Sequence, residues 1–181
     1  MKHLDATTCV KALFVAMAFA GEISIAETGP VVPDALKVQA DQKLSLEAHA
    51  VGVQIYLCEA SKDDPNRFEW AFKAPDANLF DAAGKSIGKH YAGPTWESND
   101  GSIVVGEVKA KDAGPDSSAI AWLLLSAKSA SGNGIFGHTQ SIQRTDTSGG
   151  KAPSNGCDKE HPGKEVRVPY KATYYFYASG S

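Results

Sequence analysis

The chain has 181 residues, of which 43% are hydrophobic and 22% are charged. This is the composition of one globular domain rather than of a disordered segment. The formal net charge is -3 and the basic residues are scattered, so we expect no nucleic-acid partner, because that function requires a concentrated positive surface.

Residues 1–26 have the features of a secretory signal peptide. A lysine-bearing start precedes an apolar core over residues 12–20. Small residues permit cleavage after Ala20 or after Ala26, and we prefer the second site because it leaves a short c-region. The apolar core is too short to span a bilayer, and no later stretch is long enough. We therefore expect a secreted or periplasmic single domain, residues 27–181, without a transmembrane segment.

Two cysteines remain after cleavage, Cys58 and Cys157. An even number of cysteines in an oxidising compartment predicts a disulfide. It would close a loop of about 100 residues, which contributes on the order of 4–5 kcal/mol in the chain-entropy model. The alternative is two free buried thiols. The two cysteines are far apart in the sequence, which does not fit the closely spaced cysteines of a zinc or redox motif.

Apolar and polar residues alternate with a period of two along most of the domain, which is typical of half-buried strands. The first two alternating segments are Leu44–Ala48 and Val53–Leu57, and we interpret Gly52 between them as a bulge or bend. A third strand is predicted over Phe68–Phe72, and Pro75 is expected to end it.

Further strands flank the segment His90–Gly101. Ser86–Tyr91 leads into it, Ile103–Ala110 follows it, and Asn99-Asp100-Gly101 is a hairpin-turn signal. The remaining predicted elements are strands over Ile120–Ala130 and Ile135–Arg144 joined through Asn133-Gly134, a loop over Thr145–Gly163 that carries Cys157, and a last strand over Glu165–Tyr177. These eight to ten short strands predict an all-β fold, an antiparallel β-sandwich or barrel with one disulfide.

The segment His90–Gly101 holds the densest group of chemically capable side chains. Its turn signal makes Asp100 a turn residue. The remaining candidates for a ligand-binding site are His90, Tyr91, Trp96 and Glu97. Aromatic side chains with polar neighbours can stack on a flat ring or sugar. The aromatic residues in apolar strand positions are instead expected in the core: Trp70, Phe72 and Trp122.

These residues predict a non-enzymatic domain that binds a small molecule or a carbohydrate, or that associates with the cell envelope. One alternative is a secreted hydrolase or metal-dependent enzyme that uses His90 and Glu97, with a metal site formed if His138 joins them. Another is a purely structural surface protein. No motif assigns a catalytic residue, a metal or a cofactor, and we expect none.

Several blocks of sequence follow one another in a fixed order along nearly all of the mature chain. They are Glu47-Ala48-His49-Ala50, Gly52-Val53-Gln54-Ile55-Tyr56, Leu79-Phe80-Asp81, His90–Trp96, Ser141-Ile142-Gln143-Arg144, Gly149-Gly150-Lys151-Ala152-Pro153, Gly156-Cys157-Asp158 and Tyr174-Tyr175-Phe176-Tyr177. Together they resemble the secreted bacterial and fungal proteins grouped as domain of unknown function 3455. The resemblance implies an extracytoplasmic domain and no established activity, so it assigns no catalytic residues.

Some members of that family bear a malate dehydrogenase label, and Gly132-x-Gly134-x-x-Gly137 matches the dinucleotide-binding fingerprint. The fingerprint needs a strand before it, a helix opening on it and an acidic residue about 20 positions later. Residues 136–144 are strand-like instead, and the acidic position falls in a loop rich in glycine and proline. We interpret the glycines as a turn and expect no NAD-dependent dehydrogenase.

Overall fold

The computed structural model describes residues 29–180, which form a closed antiparallel β-barrel. Each strand pairs with the next along the chain and the last pairs with the first, so the predicted all-β antiparallel fold is confirmed as a barrel. The elements are a 3-10 turn Asp34–Leu36 and strands β1 Gln42–Ala60, β2 Phe68–Phe80, β3 Ser86–Tyr91, β4 Thr95–Ser98, β5 Ile103–Asp112, β6 Trp122–Ser131, β7 Ser141–Gly149 and β8 Glu165–Ser179. The predicted signal peptide lies outside the described residues. Within residues 29–180, no helix is long and apolar enough to cross a membrane.

The two strands predicted on either side of Gly52 are one strand, β1, and the predicted bend at Gly52 is wrong. Pairing with β2 runs without a shift through Gly52, which lies opposite Ala77. A Cβ atom on Gly52 would lie 2.2 Å from the carbonyl oxygen of Asp76. The glycine is therefore needed because β1 and β2 approach closely there, whereas the bulge lies farther along, at Lys73 of β2 opposite the step from Ile55 to Tyr56.

Pro75 does not end β2, contrary to the prediction, and the strand continues to Phe80. Pro75 lies opposite Gln54, directly beside the bulge between Ile55 and Tyr56. The bulge itself adds Lys73, and β3 pairs with β2 only from Ala77 onwards, so at Pro75 the described β2 is bonded to β1 alone and is an edge where a residue without an N–H group is tolerated.

Alternate residues of each strand fill the barrel interior. On β8 the inward set includes Tyr170, Tyr174 and Phe176, each at most 2% exposed. The other buried large side chains of the core are Leu79, Trp96, Val104, Ile120, Leu123, Leu125, Phe136 and Ile142. Burial of each such side chain contributes roughly 1.5–3 kcal/mol, so this shared interior is the main source of stability.

The strand predicted over Ile135–Arg144 starts later, because β7 begins at Ser141 and residues 132–140 form a loop. Phe136 in this loop is fully buried, and its ring packs on Phe176 with centroids 4.7 Å apart. The loop therefore closes one end of the barrel, hereafter the closed end, with an aromatic plug. The apolar signal at Phe136 came from this plug rather than from a strand.

Asp100 holds the loop 132–140, hereafter the plug loop, in place. Its carboxylate accepts hydrogen bonds from the backbone N–H of Ile135 at 2.9 Å and from the side chain of Ser102 at 2.6 Å. These hydrogen bonds lower the pKa of Asp100 to about 2, and the bond from the Ser102 side chain makes the largest contribution. The predicted turn role of Asp100 thus extends to a second loop, 35 residues away along the chain.

The three glycines of the apparent dinucleotide fingerprint are steric requirements of the plug loop. A Cβ atom on Gly134 would lie 2.2 Å from the Asp100 carboxylate, and one on Gly137 would lie 2.0 Å from the carbonyl oxygen of Gly132. A strand, β7, follows the glycines instead of the helix that a dinucleotide site requires. The glycines belong to a connection between two strands, as predicted, but it is the loop 132–140 rather than a short hairpin turn.

Cys58 and Cys157 form the predicted disulfide, with their Cα atoms 5.2 Å apart. Cys58 is fully buried near the end of β1, and Cys157 lies in the loop between β7 and β8. This loop begins later than predicted, because β7 continues to Gly149. The disulfide fastens the loop to the barrel wall.

Replacing both cysteines by serine is expected to lower the free energy of unfolding by about 2–5 kcal/mol, because the bridge restrains the unfolded chain over a separation of 99 residues. Urea denaturation of the oxidised protein and of the Cys58→Ser, Cys157→Ser variant measures the difference. Equal midpoints would contradict a stabilising role.

Gly134→Ala is expected to lower the free energy of unfolding by about 1–3 kcal/mol, the usual effect of adding a methyl group to filled space. The added atom displaces the Asp100 carboxylate from the N–H of Ile135, so amide exchange at Ile135 should also accelerate. Asn133→Ala, a change at the exposed neighbouring position, is the control and should alter neither measurement. Identical exchange rates in the two variants would disprove the steric argument.

Candidate functional site

The four sequence-predicted site residues lie on one hairpin, but on both faces of the barrel wall. His90 pairs with Trp96 across β3 and β4, and both side chains are buried in the interior. Tyr91 and Glu97 lie on the outer face, where the Tyr91 hydroxyl donates a hydrogen bond to the Glu97 carboxylate at 2.8 Å. The four residues therefore do not line a single surface.

The prediction of which aromatic side chains are buried in the core and which are exposed is wrong. Trp96, proposed as a binding residue with polar neighbours, is 1% exposed, whereas Phe72, expected in the core, is 56% exposed. Trp70 and Trp122 are only partly buried. The polar neighbours of Trp96 reflect a short strand between two turns, and Phe72 lies beyond the bulge of β2, near the barrel rim.

A cavity of about 160 Å³ lies beside Trp96 in the barrel interior. It faces the end of the barrel that carries residues 92–94 and the loops 61–67, 113–121 and 150–164, hereafter the open end. The lining residues are Gln54, Phe72, Lys73, Pro75, His90, Gly93, Pro94, Trp96, Val108, Leu123, Leu125, Arg144 and Tyr174. An apolar cavity of roughly 150 Å³ is large enough for benzene, so this one has room for a single ring.

His90 presents a neutral imidazole at the cavity. Its Nδ1 atom lies 2.9 Å from the carbonyl oxygen of Thr95, which can only accept, so Nδ1 carries the proton and Nε2 is an acceptor. The ring stacks on Trp96 with centroids 4.4 Å apart and planes 13° apart. Burial lowers the pKa of His90 to about 3, and the nearby charge of Arg144 acts in the same direction.

Arg144 is the cation of the cavity, and the sequence interpretation did not include it. Its Nε and Nη2 atoms donate to the carbonyl oxygen of Ala121 at 3.1 and 2.7 Å. The alternation of residues along β7 could have indicated its position. Arg144 follows the buried Ile142 by two positions and so faces the same side of the sheet. An arginine on an inward face is unusual in a barrel core.

Three polar atoms at the cavity form no hydrogen bond of good geometry within the described chain, although the Tyr174 hydroxyl faces Arg144 and the Gln54 amide faces the Tyr170 hydroxyl. They belong to Gln54 (Nε2), Trp96 (Nε1) and Tyr174 (the hydroxyl), and each of these residues is at most 2% exposed. A buried polar group without a partner costs about 1–3 kcal/mol. A bound molecule that carries acceptor atoms would satisfy these groups.

A metal site is not formed from the residues considered for it. Across residues 29–180, no group of three or more histidine, cysteine, aspartate or glutamate side chains could hold a metal ion. The convergence of His90, Glu97 and His138 is therefore not found, since Glu97 is exposed on the outer face and His90 is enclosed.

The fold and its cavity define a closed eight-stranded antiparallel barrel with room for one small ring at its open end. The chain belongs to the family described as "Protein of unknown function (DUF3455)", whose model matches residues 39–178, which confirms the resemblance. Searches of curated proteins and of solved structures found no significant match.

The free energy of unfolding is expected to fall as the pH drops from about 6.5 towards about 3. The unfolded chain takes up a proton on the His90 imidazole near pH 6.5, whereas the folded protein takes it up near pH 3, so acid favours unfolding within that window. The slope from this group is on the order of 1 kcal/mol per pH unit. Urea denaturation between pH 7.5 and 4.5 measures it.

His90→Gln should remove this part of the pH dependence, because glutamine does not titrate. The same substitution at the exposed His138 is the matched control and should leave the slope unchanged. If wild type and His90→Gln show one slope, the buried imidazole is not responsible.

Proposed function

We propose that the protein is an extracytoplasmic, non-enzymatic binding protein that holds a small, largely apolar molecule in the cavity at the open end of the barrel. The observation that carries the proposal is the cavity itself. It combines apolar walls with buried polar atoms that lack partners. Such a combination is the usual character of a small-molecule site. The disulfide supports an oxidising compartment, in which such bonds persist.

The composition of the wall favours binding over hydrolysis. None of the described residues that line the cavity is aspartate, glutamate, serine or cysteine. The one lining hydroxyl is that of Tyr174, and burial raises its pKa, which makes it a poor nucleophile. Among the described residues, the hydrogen-bond and ring contacts of His90 are with the Thr95 carbonyl and the rings of Trp96 and Tyr174, and none of them is an activated nucleophile. The enzymatic alternative that pairs His90 with Glu97 loses support because Glu97 is outside.

The size and polarity of the cavity favour a small molecule over a carbohydrate. A volume of about 160 Å³ holds one ring. A sugar ring carries a hydroxyl group on nearly every carbon, and the leucine and proline side chains of the wall would leave most of these without partners. The carbohydrate form of the hypothesis is therefore less well supported.

Two exposed apolar side chains provide an entrance. Phe72 and Val108 line the cavity, yet they are 56% and 39% exposed. Both lie on the rim, beyond the fully buried rings of Trp96 and Tyr174. A ligand that fills the cavity would cover part of this apolar surface.

Toluene tests the proposal, because it matches the cavity in size and carries no charge. We expect it to bind with a Kd on the order of 1 mM or tighter. Chemical-shift changes at the indole N–H of Trp96 report binding in nitrogen-15 NMR spectra of the oxidised protein.

Val108→Trp should abolish these changes, because the larger side chain starts from a half-open rim position and fills the entrance. Val51→Trp is the matched control, since Val51 is 45% exposed and is not part of the cavity wall. If toluene moves the Trp96 signal equally in wild type and in Val108→Trp, or if neither toluene nor a polar ring compound such as benzamide or benzoate moves it in wild type, the cavity is not a binding site.

A further inference from the structure

We infer that the ligand of this cavity is a small organic anion: one aromatic or compact apolar group that carries a carboxylate, with the carboxylate against Arg144. The inference rests on the proposed binding function and specifies the chemical class of the ligand. Three features support it: the unpaired cation, the excess of buried donors and the apolar remainder of the wall.

Arg144 has no counter-ion within the described chain. No carboxylate of residues 29–180 lies within 4 Å of it, although the other two arginines there, Arg67 and Arg167, each form ion pairs. A positive charge beside apolar walls is costly unless an anion neutralises it. The bound anion would supply the missing charge.

The guanidinium is fixed in position and keeps donors free. Of its five N–H groups, Nε and Nη2 each direct one to the carbonyl oxygen of Ala121, and the Tyr174 hydroxyl faces a further one, which leaves two. The acceptor is itself held, because the adjacent Ile120 donates its N–H to Gly149 at 2.9 Å and accepts from the Thr147 hydroxyl at 2.6 Å. A planar group held in this way suits a carboxylate.

The remaining polar atoms favour an acceptor-rich ligand. The unpartnered Nε1 atom of Trp96 is a donor only, whereas the Gln54 amide and the Tyr174 hydroxyl already face the Tyr170 hydroxyl. The Nε2 atom of His90 is an acceptor at the same wall. With Arg144, donors outnumber acceptors at the cavity. Carboxylate oxygens accept several hydrogen bonds at once, which matches this excess.

The apolar part of the wall distinguishes an organic anion from an inorganic one. Leu123, Leu125, Pro75 and Pro94 line the cavity together with the polar groups. A phosphate or sulfate ion would leave these side chains without a partner and would lose its own hydration there. The second cation at the cavity, Lys73, is already paired with Glu165 at 3.0 Å.

The test compares benzoate with benzamide, which has nearly the same size and shape and no charge. Both are titrated into the oxidised protein at pH 7.5 by calorimetry and by the Trp96 indole signal, with toluene and inorganic phosphate as further probes. We expect benzoate to bind at least ten times more tightly than benzamide, and phosphate to bind more weakly than benzoate.

Arg144→Gln should reduce benzoate binding to the level of benzamide, and Arg144→Lys should retain part of the preference, because it keeps the charge without the planar fork. Arg67→Gln is the control, since Arg67 is paired with Glu69 and is not part of the cavity wall. The ratio of benzoate to benzamide affinity in the unmodified protein requires no variant, so a poorly folded Arg144→Gln protein does not impair the test.

Equal binding of benzoate and benzamide, or phosphate binding as tight as that of benzoate, would overturn the inference. If toluene still moves the Trp96 signal in that case, the proposed binding function stands and only the anionic class is wrong. If none of the organic probes binds, the binding function itself fails.

Discussion

The pairing of β1 with β8 is the constraint on which the rest of the molecule depends. It runs from Gln42 opposite Ser179 to Leu57 opposite Glu165, and it converts an open sheet into a ring. Closure pairs most of the strand edges and encloses the inward side chains, although β2 before Ala77 and β5 after Val105 extend beyond the short β3–β4 hairpin. With eight strands the enclosed space is just wide enough for side chains and one small ligand.

That enclosed space is filled unevenly along the barrel axis. At the closed end, Phe136 and Phe176 pack directly on each other, and the Asp100 carboxylate holds the loop that carries the plug. Towards the open end the inward residues include His90 and Arg144, and the cavity lies among them.

The strands were predictable from the sequence because period-2 alternation is a local property. The disulfide was predictable because only Cys58 and Cys157 remain beyond the predicted signal peptide. Local patterns misled at Gly52, where the governing fact is the distance between β1 and β2, and at Pro75, where it is that β3 pairs with β2 only from Ala77 onwards. They also misled at Phe136, whose apolar character serves a plug rather than a strand.

The candidate site was predictable only in part. Strand parity could have divided His90 and Trp96 from Tyr91 and Glu97, given that the hairpin turn lies at residues 92–94. Nothing local indicates that Arg144 lies beside His90, 54 positions earlier in the chain. That proximity follows from closure of the barrel, which brings distant strands around a common interior. No single segment of the sequence indicates which distant strands will surround the same interior.

The position of Cys157 has a consequence for the kinetics of folding. Pairing β1 with β8 is the most non-local step in the barrel, and bringing chain ends together across many residues slows folding. Cys157 lies eight residues before Glu165, where β8 begins. Once Cys58 and Cys157 are joined, the start of β8 is already beside the end of β1, and the remaining contacts can form one after another. An oxidised chain should therefore close its barrel faster than a reduced one.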